Sequence, residues 1–347
     1  MIRRTFRAVL LLTAVLALPQ VCPAPLIYKP GEGWSYEPYG STSNWQKTRA
    51  KDQLEVAEQA FEKKDYDLAL KAARYTVKKW ELSDYAPKAQ FLVGRSLEEL
   101  KKDEEAFQAY QTLLEKYPKV ENYQEVLKRQ FEITNRYLGG QWFKLWGVVP
   151  FFPSMEKTSK MYEKVIKNGP YSDVAPQAQM NIGAAQEKRK EFPDAVKAYE
   201  KVADKYHDQK AYAADALFKA GQTHLKQART AEYDQGIAAK AIASFTDFIS
   251  LYPEDKRVAE ARKNIDALRT EQARGAIEIA KFYEKKKLWS GALVYYNEVL
   301  IKDPDSPQAA DAKRRIEFLK TLPGVSADPT TTTNAAPVVP VAPVNPK

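Results

Sequence analysis

The sequence predicts an all-α protein, a solenoid of about six helical hairpins, and three regularities support this prediction. Short amphipathic segments alternate with polar turns through most of the 347 residues. A small residue, an alanine and an aromatic residue recur at fixed spacings from one pair of segments to the next. Proline follows several of the pairs, where it would end the second helix.

The clearest pair of segments is residues 86–120, APKAQFLVGRSLEELKKDEEAFQAYQTLLEKYPKV. Gly94 and Ala106 lie twelve residues apart, and small side chains at these points let two antiparallel helices cross closely. Tyr110 follows Ala106 by four residues and Pro118 follows it by twelve. This spacing is typical of a tetratricopeptide repeat, a helical hairpin that stacks on its neighbours into a superhelix.

The same pattern recurs along the chain. The positions equivalent to Ala106 are Ala69, Thr158, Ala195, Ala241 and Ala292. The aromatic residues four positions later are Tyr110, Tyr162, Tyr199, Phe245 and Tyr296, with Ala73 as the exception. In the fifth pair the small residue, Gly221, comes eight residues too early, which predicts an enlarged turn.

Residues 1–24 have the composition of an export signal, because arginines precede an apolar run at residues 8–18. That run is short for a permanent membrane span. The one cysteine, Cys22, is a candidate for lipid attachment, although Pro19-Gln20-Val21 before it differs from the usual lipobox. Cleavage after Ala24 is the alternative, and both alternatives predict an exported protein.

The segments that flank the repeats have other compositions. Residues 25–47 are rich in proline, glycine and aromatic residues, which predicts an extended or irregular leader. We expect its aromatic side chains to hold it against the first repeat; a loose spacer from the membrane is the alternative. Residues 323–347 are rich in Pro, Thr, Ala and Val with almost no charge, which predicts a disordered tail.

Residues 48–322 are expected to form the repeats themselves. The predicted pairs are about 48–83, 86–120, 123–169, 176–209, 214–255 and 273–306. A long helix from Arg257 to about Lys286 is predicted between the last two pairs, and a helix from Pro307 to Leu319 caps the array. An insert at residues 139–153, the most apolar stretch after the signal, interrupts the third pair.

Composition and motifs argue against an enzyme and against a nucleic-acid-binding protein. The formal charge of +9 is dispersed along helix faces and is accompanied by no nucleic-acid-binding motif. One cysteine and two histidines without metal-ligand spacing predict no zinc site. The sequence lacks a phosphate loop, a nucleophile elbow and a dinucleotide fingerprint, so we expect no catalytic activity and no cofactor.

Recognition of another protein is the remaining function. Stacked hairpins present the first helix of each repeat on a concave face, which by position in the repeat should carry Phe61, Phe91, Arg95, Met180, Gln222 and Lys281. An aromatic and basic face suits extended peptides, particularly those with aromatic side chains or a C-terminal carboxylate. For Phe61 and Phe91, contact with the neighbouring repeat is the alternative.

The aromatic side chains of the insert are further candidates for partner binding. They are Trp142, Phe143, Trp146, Phe151 and Phe152. We expect them to pack into the groove of the repeats; if they are exposed, they form an apolar patch and therefore an interaction site.

Three phrases of the sequence resemble the BamD/ComL family of outer-membrane assembly lipoproteins. They are residues 86–120, the phrase VLKRQFEITNRYL at 126–138 and NGPYSDVAPQAQMNIGAAQEKRKEFPDAVKAYEKV at 168–202. The resemblance covers about residues 48–320 and is most specific in the first four repeats. It implies a place on the periplasmic face of the outer membrane. It also implies two partners, the subunit that assembles β-barrels and unfolded segments of outer-membrane proteins.

Two functions follow from these observations. The first is a BamD-like scaffold in β-barrel assembly. The second is a periplasmic adaptor that coordinates cell-envelope or peptidoglycan machinery, suggested by the unusual lipobox and the proline-rich tail. Both are non-enzymatic.

Overall fold

The computed structural model describes residues 26–29, 33–36, 45–145, 149–230 and 235–322. These residues divide into two compact units, the first ending at Val120 and the second beginning at Glu121. Cys22, Trp146 and most of the predicted signal, leader and tail lie outside the described residues.

The first unit contains a strand pair and two helical hairpins. Strands β1 (Leu26–Lys29) and β2 (Gly33–Tyr36) pair antiparallel, with Leu26 opposite Tyr36. The helices are α1 (Ala50–Glu62), α2 (Tyr66–Lys79), α3 (Ala86–Glu99) and α4 (Asp103–Lys116). Each helix packs against the next in the chain, as in stacked hairpins.

The second unit contains the remaining hairpins and a second strand pair. Its first hairpin is α5 (Tyr123–Leu138) and α6 (Met155–Asn168), with β3 (Phe143–Leu145) and β4 (Val149–Phe152) between them. The following helices are α7 (Ala175–Lys188), α8 (Phe192–Lys205), α9 (Lys210–Thr230), α10 (Gln235–Leu251), α11 (Val258–Lys285), α12 (Trp289–Lys302) and α13 (Pro307–Lys320). The predicted all-α repeat fold is thereby confirmed.

The small residue of three repeats is a glycine that lies against the aromatic residue of the second helix, as the sequence predicts. A Cβ atom added to Gly94 would lie 2.3 Å from Cε1 of Tyr110, so only hydrogen fits there. The same close approach joins Gly183 to Tyr199 at 2.4 Å and Gly221 to Phe245 at 2.8 Å. Gly221 still contacts the aromatic residue of its repeat although it comes early in the sequence. The reason is that α9 is longer than the first helix of each preceding repeat, so the extra residues follow Gly221 within the helix.

Four hairpin turns share a backbone feature that the sequence did not predict. Lys64, Lys101, Lys190 and Lys287 all have φ between 58° and 63°. Each lies five residues before the anchor alanine of its repeat. Glycine is the residue that usually adopts this left-handed conformation at the end of a helix. Because lysine occupies the position here, the sequence pattern does not indicate the conformation.

The two strand pairs differ from the sequence prediction. The prediction for the leader was extended or irregular backbone without strand pairing, and two short segments of it, β1 and β2, pair antiparallel. In the insert, β3 pairs with β4 across a register shift between Phe143 and Lys144. Strands this short show too few alternations for a period of two to be visible in the sequence.

The end of the leader lies against the first hairpin. The rings of Trp45 and Tyr75 meet edge to face with centroids 5.6 Å apart. The buried Gln53 side chain donates to the Trp45 carbonyl oxygen at 3.1 Å and accepts from the Lys47 backbone N–H at 2.7 Å. These contacts provide the docking expected of the leader aromatics at Trp45.

Candidate functional site

The candidate site is an arginine that lies against two phenylalanine rings in the first unit. The guanidinium carbon of Arg95 lies 5.2 Å from the ring centroid of Phe61 and 6.0 Å from that of Phe91. Both distances are within the range in which a cation is attracted to an aromatic face. We call these three residues the arginine–phenylalanine site.

Helical spacing brings these residues together. Gly94 turns inward against Tyr110, so the next residue, Arg95, projects from a different side of α3. Phe91 precedes Arg95 by four residues, and side chains at that spacing are neighbours on a helix. Phe61 reaches the same place from the end of α1.

Each phenylalanine is supported by a second ring. Phe61 meets Tyr66 edge to face at 5.3 Å, and Phe91 packs tilted on the buried Tyr110 at 5.9 Å. Both phenylalanines are half-buried. They therefore contact their own repeats and also contribute an apolar border beside the Arg95 guanidinium.

The Arg95 guanidinium has no hydrogen-bond or ion-pair acceptor among the residues that the structure describes. The side chain is half-buried, so its five N–H donors are only partly available to water. Partial burial beside apolar rings strengthens its attraction for an anion. A carboxylate with its two oxygens can accept two parallel hydrogen bonds from such a group.

The predicted face residues of the second unit have other surroundings, and Met180 is a correction. Only 5% of Met180 is exposed, because it belongs to a core cluster that includes Ala216 and Ala220 of α9. Gln222 donates to Glu260 at 3.4 Å, and Lys281 forms an ion pair with Glu278 at 2.9 Å. The structure shows no contact among these three residues.

The insert aromatics divide into buried and exposed residues. Phe143 is 3% exposed and stacks on Tyr137 with ring centroids 4.2 Å apart, while Lys157 Nζ lies 5.0 Å from its ring. Trp142 and Phe152 are 52% and 40% exposed. Phe151 lies in β4, but its side chain is not among those described. Phe143 thus holds the insert to its own hairpin, and Trp142 and Phe152 face solvent.

Sequence reasoning missed a hydrogen bond that recurs in the repeats. In three repeats the tyrosine hydroxyl on the second helix donates to a glutamate on the first helix of the same repeat, twelve residues earlier. These bonds are Tyr110→Glu98 (2.5 Å), Tyr199→Glu187 (2.8 Å) and Tyr296→Glu284 (2.7 Å). In the third repeat Tyr162 donates to Asn135 at 2.6 Å. In the sequence, a glutamate twelve residues before the tyrosine is the pattern that indicates this hydrogen bond.

The fifth repeat replaces both partners of this bond. Phe245 lacks the hydroxyl, and Leu225, four residues after Gly221, stands where the acceptor would be. Leu225 packs against the core cluster that contains Phe245. An apolar pair therefore takes the place of the hydroxyl and the carboxylate together.

Glu187 accepts hydrogen bonds from three side chains. Besides Tyr199, it accepts from Thr223 Oγ1 at 2.9 Å and from Lys226 Nζ, both on α9. Burial raises the pKa of Glu187, but these three hydrogen bonds outweigh burial and hold the pKa below its ordinary value. Burial and the adjacent carboxylate raise the pKa of Tyr199, so the hydroxyl stays a donor.

No helix among the described residues combines the length and apolar character needed to cross a membrane. The same part of the chain contains no cluster of three or more His, Cys, Asp or Glu side chains placed to bind a metal. The arginine–phenylalanine site combines one guanidinium group with two aromatic rings.

Helical hairpins with these spacings and these glycine–aromatic contacts define the class of tetratricopeptide-repeat proteins, and residues 88–119 match the model of that repeat. Residues 153–322 match the model of the YfiO family, described as outer membrane lipoprotein. The chain is therefore a tetratricopeptide-repeat protein, and over residues 153–322 it is similar to the BamD-like lipoproteins. The family match falls on the later repeats, whereas the most specific resemblance was expected in the first four.

Solved structures with similarity to this chain include two described as tetratricopeptide-repeat proteins. The C-terminal part of such a protein from Cytophaga hutchinsonii is 16% identical, with 77% of this chain and 88% of that chain covered and a TM-score of 0.36. One from Parabacteroides merdae is 12% identical, with 78% and 98% covered and a TM-score of 0.32. PilW, a type IV pilus biogenesis factor, is 13% identical, with 77% and 100% covered and a TM-score of 0.27. No curated protein matches.

Proposed function

We propose that this chain is an exported, non-enzymatic scaffold on the periplasmic face of the outer membrane, where it serves the assembly of β-barrel proteins. The match to a family of outer membrane lipoproteins supports the compartment, as does the arginine-led apolar run before Cys22. Its partners in this proposal are the barrel-assembling subunit and unfolded segments of outer-membrane proteins.

The observation that supports peptide binding is the Arg95 guanidinium, which lies against two aromatic rings and has no hydrogen-bond or ion-pair acceptor in the described part of the chain. An extended peptide could place a carboxylate on Arg95 and an aromatic side chain beside Phe61 and Phe91. Charge-assisted hydrogen bonds would fix the carboxylate, and ring contacts would favour a neighbouring aromatic residue. A peptide that ends in a free aromatic residue presents both groups together.

This site is tested with a fluorescein-labelled decapeptide that ends in phenylalanine, in two forms that differ only in a free or amidated C-terminus. We expect the full chain to bind the free acid more tightly in an anisotropy titration. Arg95→Ala should weaken binding of the free acid by about 10- to 100-fold, because hydrogen bonds to charged groups contribute about 1.5–3 kcal/mol. The difference between the two peptides should then disappear.

Two variants make this test specific. Arg95→Lys keeps the charge but loses the planar fork, so we expect an intermediate affinity. Arg74→Ala removes an exposed arginine of α2, ion-paired to Glu105, and should leave the affinity unchanged. Equal binding of the two peptides by the unmodified chain, or an unchanged affinity in Arg95→Ala, would refute peptide binding at this site.

The second candidate function is a periplasmic adaptor for cell-envelope or peptidoglycan machinery. The sequence Pro19-Gln20-Val21 before Cys22 favours it, because this stretch differs from the usual lipobox and so argues against the membrane anchor of the first function. Palmitate labelling of Cys22 would support the scaffold, and a product released in soluble form from the periplasm would support the adaptor.

A further inference from the structure

A cleft of about 830 Å³ lies in the second unit where α11, α12 and α13 meet. Its walls include basic side chains of α11 and α13 and aromatic side chains of α12 and α13. The basic residues are Lys281, Lys285, Arg314 and Arg315. This cleft belongs to the last hairpin and the helix after it, and it contains none of the residues of the arginine–phenylalanine site.

The cleft has an excess of positive charge. Its two carboxylates are already ion-paired inside it, Glu284 with Arg315 and Asp311 with Arg314. Lys281 pairs with Glu278, three residues earlier on the same exposed helix face. Lys285 is exposed and has no hydrogen-bond or ion-pair partner among the described residues.

The Glu284 pair also fixes the geometry of the cleft. Glu284 is 15% exposed and accepts from the Tyr296 hydroxyl at 2.7 Å and from Arg315 Nε at 3.2 Å. It therefore ties α11 to both α12 and α13 and is not free to neutralise the lysines. Lys281 is paired with Glu278 on the exposed helix face, so among the described lysines of the cleft it is the charge of Lys285 that is left to attract an anion from outside.

Aromatic surface accompanies this charge. Phe318 is 50% exposed, and the guanidinium carbon of Arg315 lies 5.1 Å from its ring centroid. Trp289 is half-buried and packs against the core cluster of the last hairpin while it lines the cleft. Aromatic and basic side chains together favour an extended segment that carries both acidic and apolar groups.

We propose that this cleft binds an acidic, aromatic-containing segment of a partner protein, as a second binding site that does not depend on the function proposed above. Charge complementarity selects this occupant. The chain's own tail, which begins directly after Leu322 at the cleft, is nearly uncharged and supplies almost no counter-charge for Lys285. Binding should weaken with added salt, because exposed ion pairs are screened.

The test uses the full chain and a fluorescein-labelled hexapeptide, Glu-Asp-Trp-Glu-Asp-Glu, with Gln-Asn-Trp-Gln-Asn-Gln as its neutral match. The acidic peptide is expected to bind and the neutral one to bind at least tenfold more weakly. The double variant Lys281→Gln/Lys285→Gln should weaken binding about fivefold, since each exposed pair contributes modestly. The control Lys164→Gln/Lys167→Gln removes two exposed lysines of α6 and should not change the affinity.

Two results would overturn the proposal. One is equal affinity of the unmodified chain and of Lys281→Gln/Lys285→Gln for the acidic peptide. The other comes from competition, in which an excess of an unlabelled peptide of residues 323–347 is added to the complex. Displacement of the acidic probe would assign the cleft to the chain's own tail, and the proposal predicts no displacement.

Discussion

Gly94→Ala is expected to lower the free energy of unfolding by roughly 1–3 kcal/mol, the usual cost of overpacking a core. The added Cβ would lie 2.3 Å from Cε1 of Tyr110, whose ring is fully buried and whose hydroxyl is hydrogen-bonded to Glu98. The ring therefore has little freedom to move away. Urea unfolding followed by circular dichroism measures the change as a lower midpoint.

The control for this prediction is Gly139→Ala at the end of α5. There the nearest atom to an added Cβ is the backbone oxygen of Arg136 at 3.2 Å, so no side chain must move. Alanine is a better helix former than glycine by about 1 kcal/mol. If Gly94→Ala were neutral or stabilising, helix propensity alone would explain the result at this position. The close crossing of α3 and α4 at Gly94 would then be refuted.

A double-mutant cycle separates the Gly94–Tyr110 contact from other effects. Tyr110→Ala alone should cost about 3–5 kcal/mol, as expected when a large aromatic side chain is removed from a core. In the double variant the new methyl group enters space that the ring has left. The double variant should then lose less stability than the sum of the losses in the two single variants, because the effects of contacting residues are not additive.

Glu187→Ala is the second large expected effect, with a loss of roughly 1–3 kcal/mol because buried donors lose their acceptor. Tyr199 and Thr223 both donate to this carboxylate, and Lys226 forms an ion pair with it. The loss should appear as a lower urea midpoint at neutral pH. An unchanged midpoint would mean that water replaces the carboxylate at no cost.

The same carboxylate predicts a dependence on pH. Because its pKa in the folded chain lies below the ordinary value, ionised Glu187 stabilises the fold above about pH 4.3, the pKa expected when unfolded. This contribution is lost as the pH falls through the folded pKa. Glu187→Gln should therefore lose less stability than the unmodified chain on acidification.

The fifth repeat suggests a matched control for Glu187→Ala. Its Phe245 and Leu225 replace hydroxyl and carboxylate together, and both pack in the core. Replacing both members of a hydrogen bond by apolar groups can be nearly neutral. Tyr199→Phe/Glu187→Leu should therefore be more stable than Glu187→Ala.

How far the sequence predicts the structure depends on the range of the contacts involved. Local spacing placed Phe91 and Arg95 on one face of α3, and repeat position placed Phe61 beside them. Met180 was predicted on the exposed face but is buried, because its exposure depends on the close approach of Ala216 and Ala220 on α9. That approach is a property of the following repeat and is not visible in α7 alone.

The paired tyrosine and glutamate show the opposite case, a signal that was present and not used. Glu98, Glu187 and Glu284 each precede their tyrosine by twelve residues, but carboxylates are common on exposed helix faces, where they also pair with lysines three or four residues away. Only the structure shows that these three are tied to tyrosine hydroxyls.

The most direct test of the proposed function is a pull-down of the tagged full chain from envelope membranes in mild detergent, with partners identified by mass spectrometry. The scaffold proposal predicts that a large outer-membrane β-barrel protein is recovered with the chain. Recovery of cell-wall enzymes alone, or of no partner, would contradict it.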